Sequence, residues 1–254
     1  MKNSGRIVAL IVLILFSITT PLAAKPGKTI KLTTCNRQPY GGVNLTNLGV
    51  ASDLITQLFK RLGYQAHIDI LPWQQALDKT ARGECHMVYN AHFSEERTKT
   101  FAFSDSYLDT SLHLCSRWED GISYGSLEEL AKYKIGVVEG VVYSKAFEAA
   151  GFLNKVPAPT DQHSLKALMD GKVDLIAIDK IVGTHLVKTS PFLTMPLDHL
   201  TFHEPPLEKS MPLYAMFSKV RPGYHLLIKA FNRELAAMAK DGTLDTLLKI
   251  HGFK

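Results

Sequence analysis

Asn90-Ala-His-Phe-Ser-Glu-Glu-Arg-Thr-Lys-Thr-Phe-Ala-Phe-Ser-Asp-Ser-Tyr107 is the stretch on which the reading of this chain turns. The apolar run Met87-Val88-Tyr89 leads into it as a strand, a short charged turn follows, and an aromatic run over 101–107 closes it. Arg97 therefore stands just past a strand end, where open α/β sheets present ligand-binding side chains. A guanidinium offers a rigid fork of donors that matches a carboxylate through two charge-assisted bonds. The plainer alternative is a solvated Arg97 paired with Glu95 or Glu96, which is worth little.

Upstream of this stretch the pattern alternates. Residues 28–34 read as a strand, and Cys35-Asn-Arg-Gln-Pro-Tyr-Gly-Gly42 as its breaker loop. Leu54, Leu58 and Leu62 mark one stripe of a helix over 48–62 that stops at Gly63. A strand over 66–71, a helix opened by Pro72 and ended by Gly83, and a strand over 85–90 complete the first cycle. Strand and helix in alternation predict a parallel sheet with right-handed crossovers.

Downstream, 107–117 reads as a strand-like connector before a second cycle. Ser126-Leu-Glu-Glu129 suggests a capping box, 134–139 a strand and 144–150 a helix. Residues 155–157 suggest an edge, 164–170 a helix ended by Gly171, and 173–178 a buried strand, after which Asp179 opens a helix. The tail adds a strand over 213–218, a helix over 222–238 with Leu226, Ile228, Phe231 and Leu235 inward, and a last helix over 244–251. Two α/β cycles with a returning tail predict two lobes joined by crossing segments near 113–120 and 203–210. Ligands of such proteins lie between the lobes, where hinge closure can surround them.

Residues 1–24 read as an export signal: Lys2 and Arg6 in front, an apolar core over 7–18, and Pro21-Leu-Ala-Ala24 at the cut. The mature chain then carries 27 basic against 24 acidic residues, with no Lys/Arg run, which argues against a nucleic-acid partner. Three cysteines, Cys35, Cys85 and Cys115, enter an oxidising compartment and leave one over. If their strands are antiparallel neighbours, Cys85 and Cys115 are placed to bond.

The pattern Ser-x-Glu-Arg97 followed by Phe101-x-Phe-Ser-x-Ser-Tyr107 resembles the hallmark segment of the family 3 extracellular solute-binding proteins. These are the polar amino-acid receptors of bacterial ABC importers. The similarity continues through Ile-Gly-Val-Val-Glu-Gly140, Gly171-Lys-Val-Asp-Leu-Ile-Ala-Ile-Asp179 and Met238-Ala-Lys-Asp-Gly-Thr-Leu-Asp-Thr-Leu-Leu-Lys249. The resemblance implies an α/β, two-lobed, type II periplasmic-binding-protein fold. Residues 25–117 and 207–254 would form one lobe and 118–206 the other. It further implies a periplasmic monomer that captures a polar amino acid or a similar small zwitterion and delivers it to an inner-membrane ABC permease.

In that family the hallmark arginine, here Arg97, clamps the ligand α-carboxylate, and the aspartate at Asp179 receives the α-ammonium. Asp179 as a simple helix cap is the alternative. Asn90 and His92 occupy positions of polar donors to the ligand, and Tyr40 and Trp73 are candidates for apolar cleft walls. Two departures stand out. Where the family places Ser or Thr after Gly140, this chain has Val141-Val142, leaving backbone N–H groups such as that of Val142 for the carboxylate. Near Arg37 the family often has an aromatic that stacks on the ligand side chain; an Arg there favours an acidic or hydrogen-bonding one, or simply points outward.

Enzyme, metal and cofactor signals are absent from the sequence: no Gly-x-Ser-x-Gly elbow, no phosphate loop, no His-Glu-x-x-His. The alternatives are an enzyme on the same scaffold, resembling cyclohexadienyl dehydratases, and a ligand sensor feeding a membrane receptor.

Overall fold

The computed structural model describes residues 28–193 and 196–253. The expected export signal lies outside the described residues. The first cycle comprises β1 (Lys28–Thr34), α1 (Val50–Arg61), β2 (Tyr64–Ile70), α2 (Trp73–Ala81) and β3 (Met87–Ala91). β1 lies between β2 and β3 and runs parallel to both, as helical crossovers dictate. The hallmark stretch folds as the single turn α3 (Glu95–Thr98) and the short β4 (Phe101–Phe103), and leads into the long β5 (Leu108–Arg117).

The second cycle contains β6 (Lys134–Val138), α4 (Lys145–Ala149), β7 (Asn154–Ala158), α5 (Asp161–Met169), β8 (Leu175–Asp179), α6 (Lys180–Thr189) and β9 (Leu200–Phe202). Here β6 is the central parallel strand, between β7 and β8. The chain returns through β10 (Glu208–Ser218), α7 (Tyr224–Lys240) and α8 (Thr243–Ile250).

All strands join one sheet in the order β2-β1-β3-β10-β5-β8-β6-β7, with β4 on β10 and β9 on β5. Two parallel three-stranded units thus stand at the ends, and the long antiparallel pair β5 and β10 joins them. One part of β10 pairs with β3 and β4, one part of β5 with β8, and 108–112 faces 208–213 between the two units. Among the described residues the only covalent paths between the units run through that pair, so bending there moves one unit against the other.

Apolar spacing explains the packing. α1 buries Val50, Leu54, Ile55, Leu58 and Phe59 on one side, in the same core as Ile30 and Leu32 of β1. α7 buries Phe231, Leu235 and Met238, and the Phe231 ring lies 5.9 Å from Phe59 and 5.6 Å from Phe217. Each such ring contributes roughly 1.5–3 kcal/mol by burial. Leu226, expected inward, is 63 % exposed because it occupies the first turn of α7, one turn before the buried stripe begins.

Two further expectations are corrected. The run after Ser126 forms only a 3-10 turn, Glu128–Lys132, without a side-chain cap; Glu129 instead accepts a bond from the Gly125 N–H at 3.0 Å. The proposed Cys85–Cys115 bond does not form, and all three cysteines are free thiols. Cys115 on β5 faces Ile176 and Phe202, whereas β3, just after Cys85, neighbours β1 and β10. The two cysteines belong to different units of the sheet.

Candidate binding cleft

A cleft of about 520 Å³ opens between the two units, within the usual size range for small-molecule sites. Trp73, Asn90, His92, Arg97 and Arg37 line it from the first unit, and Val142 from the second. These are six of the eight sequence-derived site residues. The other two, Tyr40 and Asp179, lie beneath it.

The end of β3 places the polar wall. Asn90 adopts a left-handed backbone, φ 65°, which Asn tolerates better than most residues. The turn is held by Tyr107, whose hydroxyl accepts from the Asn90 N–H at 2.8 Å and donates to Asn90 Oδ1 at 3.0 Å. Asn90 Nδ2 donates to Thr34 Oγ1 at 3.2 Å. The amide is thereby fixed in orientation.

Arg97 follows on α3, half-buried, with its guanidinium 5.3 Å from the Trp73 ring. Nη1 donates to His92 O at 3.0 Å, and Nη2 reaches the opposite unit to donate to Gly140 O at 2.8 Å. Trp73 Nε1 donates to the same Gly140 oxygen at 3.2 Å. Among the described residues no carboxylate forms an ion pair with Arg97, and Glu96 pairs with Lys99 instead. Burial pulls the Arg97 guanidinium below its ordinary pKa, with Glu148 opposing. An unneutralised cation on a cleft wall favours an anionic ligand group. Across the cleft, no acceptor among the described residues takes the Val142 N–H, whereas the Tyr143 N–H is used by Glu148.

A narrow inner recess of about 10 Å³, room for about one water, adjoins the cleft and is lined by Arg37, His92, Asp161 and Asp179 among others. His92 Nε2 accepts from Arg37 Nη1 at 3.2 Å, which leaves Nδ1–H to donate to Pro212 O at 3.3 Å. Burial first, then the Arg37 charge, lowers the His92 pKa to about 3, so the ring is neutral and acts as an acceptor for Arg37. Burial alone would lower the Arg37 pKa, but Asp161 and Asp179, with Tyr40 and Cys35, together more than offset it and the net shift is upward.

Asp179 is 3 % exposed and caps α6: Oδ1 accepts from the N–H groups of Ile181 at 2.7 Å and Val182 at 3.1 Å. Oδ2 accepts from the Tyr40 hydroxyl at 3.0 Å. Tyr40 is fully buried beside Phe253, with ring centroids 5.5 Å apart, and anchors the floor rather than forming a wall.

Asp161, missed from the sequence, lines both cleft and recess. The expected helix began at Ser164, which left Asp161 in a loop. The signal was Thr160, whose hydroxyl accepts from the His163 N–H and caps α5. Burial raises the Asp161 carboxyl, Arg37 opposes this, and Asp179 adds to it. Among the described residues there is no cluster of three or more His, Cys, Asp or Glu suited to a metal ion. No helix among them is long and apolar enough to cross a membrane.

Two α/β units joined by a crossing strand pair, with Arg97 on the wall of the cleft between them and no carboxylate paired to it among the described residues, are features of a solute-binding protein. The sequence profile of the bacterial extracellular solute-binding proteins, family 3, matches residues 31–253, and the chain belongs to that family. It is 26 % identical over 236 residues to the putative ABC transporter arginine-binding protein 2 of Escherichia coli K12, covering 89 % of this chain and 91 % of that one. It is 25 % identical over 205 residues to the L-cystine-binding protein TcyJ of the same strain, covering 78 % and 72 %. An ancestral arginine-binding protein solved with arginine superposes with a TM-score of 0.75 at 21 % identity, covering 90 % of this chain and all of that one. The fold is that of the type II periplasmic binding proteins.

Proposed function

We propose that this protein captures a free amino acid in the periplasm and delivers it to an inner-membrane ABC permease, as a monomer without catalytic activity. The observation that supports this most is Arg97. It is half-buried, stacked on Trp73, bonded only to backbone carbonyls, and set on the wall of an interlobe cleft. A ligand carboxylate would replace those carbonyls as the bidentate partner, with the Val142 N–H adding a donor from the second unit. The α-ammonium would point at Asp179 through the recess. The lobes, hinged where β5 and β10 pair, would close over the ligand.

The names of the two curated relatives support an amino-acid ligand. Refolded protein, freed of any copurified ligand, should be screened by calorimetry against the amino acids and their des-carboxy amines. Binding of an amino acid but not of its amine is expected. Absence of any amino-acid binding by folded protein would end the reading.

A further inference from the structure

The amino-acid reading leaves one charged pair without a task. Arg37, in the loop after β1, and Asp161, at the start of α5, come from opposite units and line both the cleft and the recess. Each charge acts on the other, yet among the described residues no direct salt bridge joins them. Arg37 is held in place: His92 accepts from its Nη1, and the guanidinium lies 5.8 Å from the Tyr40 ring. Its Nε is nonetheless buried and bonded to nothing, which is costly for a charged donor. The Asp161 carboxyl takes a bond from its own backbone N–H but has no side-chain partner among the described residues. Two opposite charges thus line the same cleft and recess from opposite units, and neither is the other's hydrogen-bond partner.

We propose that Arg37 and Asp161 form the subsite for the ligand's side-chain end, and that this end is uncharged overall and presents an acceptor beside a donor. A carboxamide, a ureido group and a second amino-acid end all have this chemistry. The inference rests on the reading of the cleft as an amino-acid site. Its acceptor would face Arg37 and its donor Asp161.

The charge balance excludes the simpler side chains. Among the buried and half-buried ionised groups around cleft and recess, Arg37 and Arg97 oppose Asp161 and Asp179, while Glu139 at the rim is exposed. A zwitterion with an uncharged side chain leaves that balance intact. A lone side-chain carboxylate would pair with Arg37 and leave Asp161 without a partner, and a lone cation would pair with Asp161 and leave Arg37 without one. An aliphatic end would leave both charges desolvated and unpaired.

Calorimetric titration of the refolded protein with glutamine, citrulline, cystine, arginine, glutamate and leucine tests this, and the first three separate the sources of the chemistry. At least one of those three should bind tenfold or more tighter than arginine, glutamate and leucine. Arg37→Gln should then shift the ranking toward arginine, and Asp161→Asn toward glutamate, each in protein whose thermal unfolding remains cooperative. Arginine, glutamate or leucine binding tightest to the wild type would overturn the subsite and leave the amino-acid reading standing. An unchanged ranking in both variants would overturn it too. If no amino acid binds, the amino-acid reading falls and the subsite with it.

Discussion

The Tyr40 hydroxyl donates to Asp179 Oδ2 at 3.0 Å, joining two buried groups 139 residues apart in sequence. Tyr40 belongs to the loop after β1 and Asp179 ends β8, so the bond ties the two units of the sheet together beneath the cleft. The Asp179 carboxylate raises the Tyr40 pKa further above the value that burial already imposes, and the phenol stays protonated as the donor.

Tyr40→Phe keeps the ring and removes only the hydroxyl, leaving Oδ2 of a buried carboxylate without that partner. A loss of about 1–3 kcal/mol is expected from an unsatisfied buried acceptor. Asp179→Ala should cost about 1 kcal/mol more than the phenylalanine change, because it also removes the cap of α6. Urea unfolding of both variants checks this, and unchanged midpoints would show the bond to be dispensable.

His92 predicts an acid limb in the stability profile. Its pKa in the folded protein, about 3, lies below the ordinary 6.5, so below pH 6.5 the unfolded chain takes up the proton first. The contribution is fully present above pH 6.5 and is lost as the pH falls toward 3, at about 1.4 kcal/mol per unit. His86, His185 and His203 are lowered as well, chiefly by burial, and act in the same direction. Unfolding free energies measured from pH 7 to 4.5 should fall less steeply in His92→Gln than in the wild type. Parallel curves would contradict a neutral, buried His92.

The thiols offer an independent check. Burial pushes Cys35 up to about 11 and Cys115 up to about 12, and raises Cys85 in the same direction. Little thiolate exists at pH 8, so native protein should react slowly with a thiol reagent. Denatured, unreduced protein should yield three thiols per chain. Cys35 lines the cleft, and its labelling should slow further with bound ligand. A count of one thiol after denaturation would show a disulfide.

Most of the fold was legible because apolar spacing and glycine stops govern it. The stripe of α1, the Gly63 and Gly83 stops and the apolar run of β8 each follow from local sequence. The first part of β10 was not. Glu208-Lys-Ser-Met-Pro212 falls before the expected strand over 213–218, partly in the crossing segment, and it is a strand because β5 pairs beside it. The cleft wall was legible through Trp73 just past the end of β2 and Asn90 and Arg97 at and after the end of β3. Asp161 and the buried position of Tyr40 were not, since each depends on contact between units distant in sequence. The sequence could show Asp179 as a cap or as a ligand group; only the fold revealed how fully the protein occupies its oxygens.

The central claim is that Arg97 holds the α-carboxylate of the ligand. Calorimetric titration of wild type, Arg97→Lys and Arg97→Ala with the tightest amino acid found tests it most directly. Lys keeps the charge and loses the planar fork, so affinity should fall at least tenfold, and further, by several kcal/mol, for Ala. Folding should remain intact in both, because the lost partners are backbone carbonyls at the cleft surface. Affinities within a factor of a few across all three proteins would contradict the account.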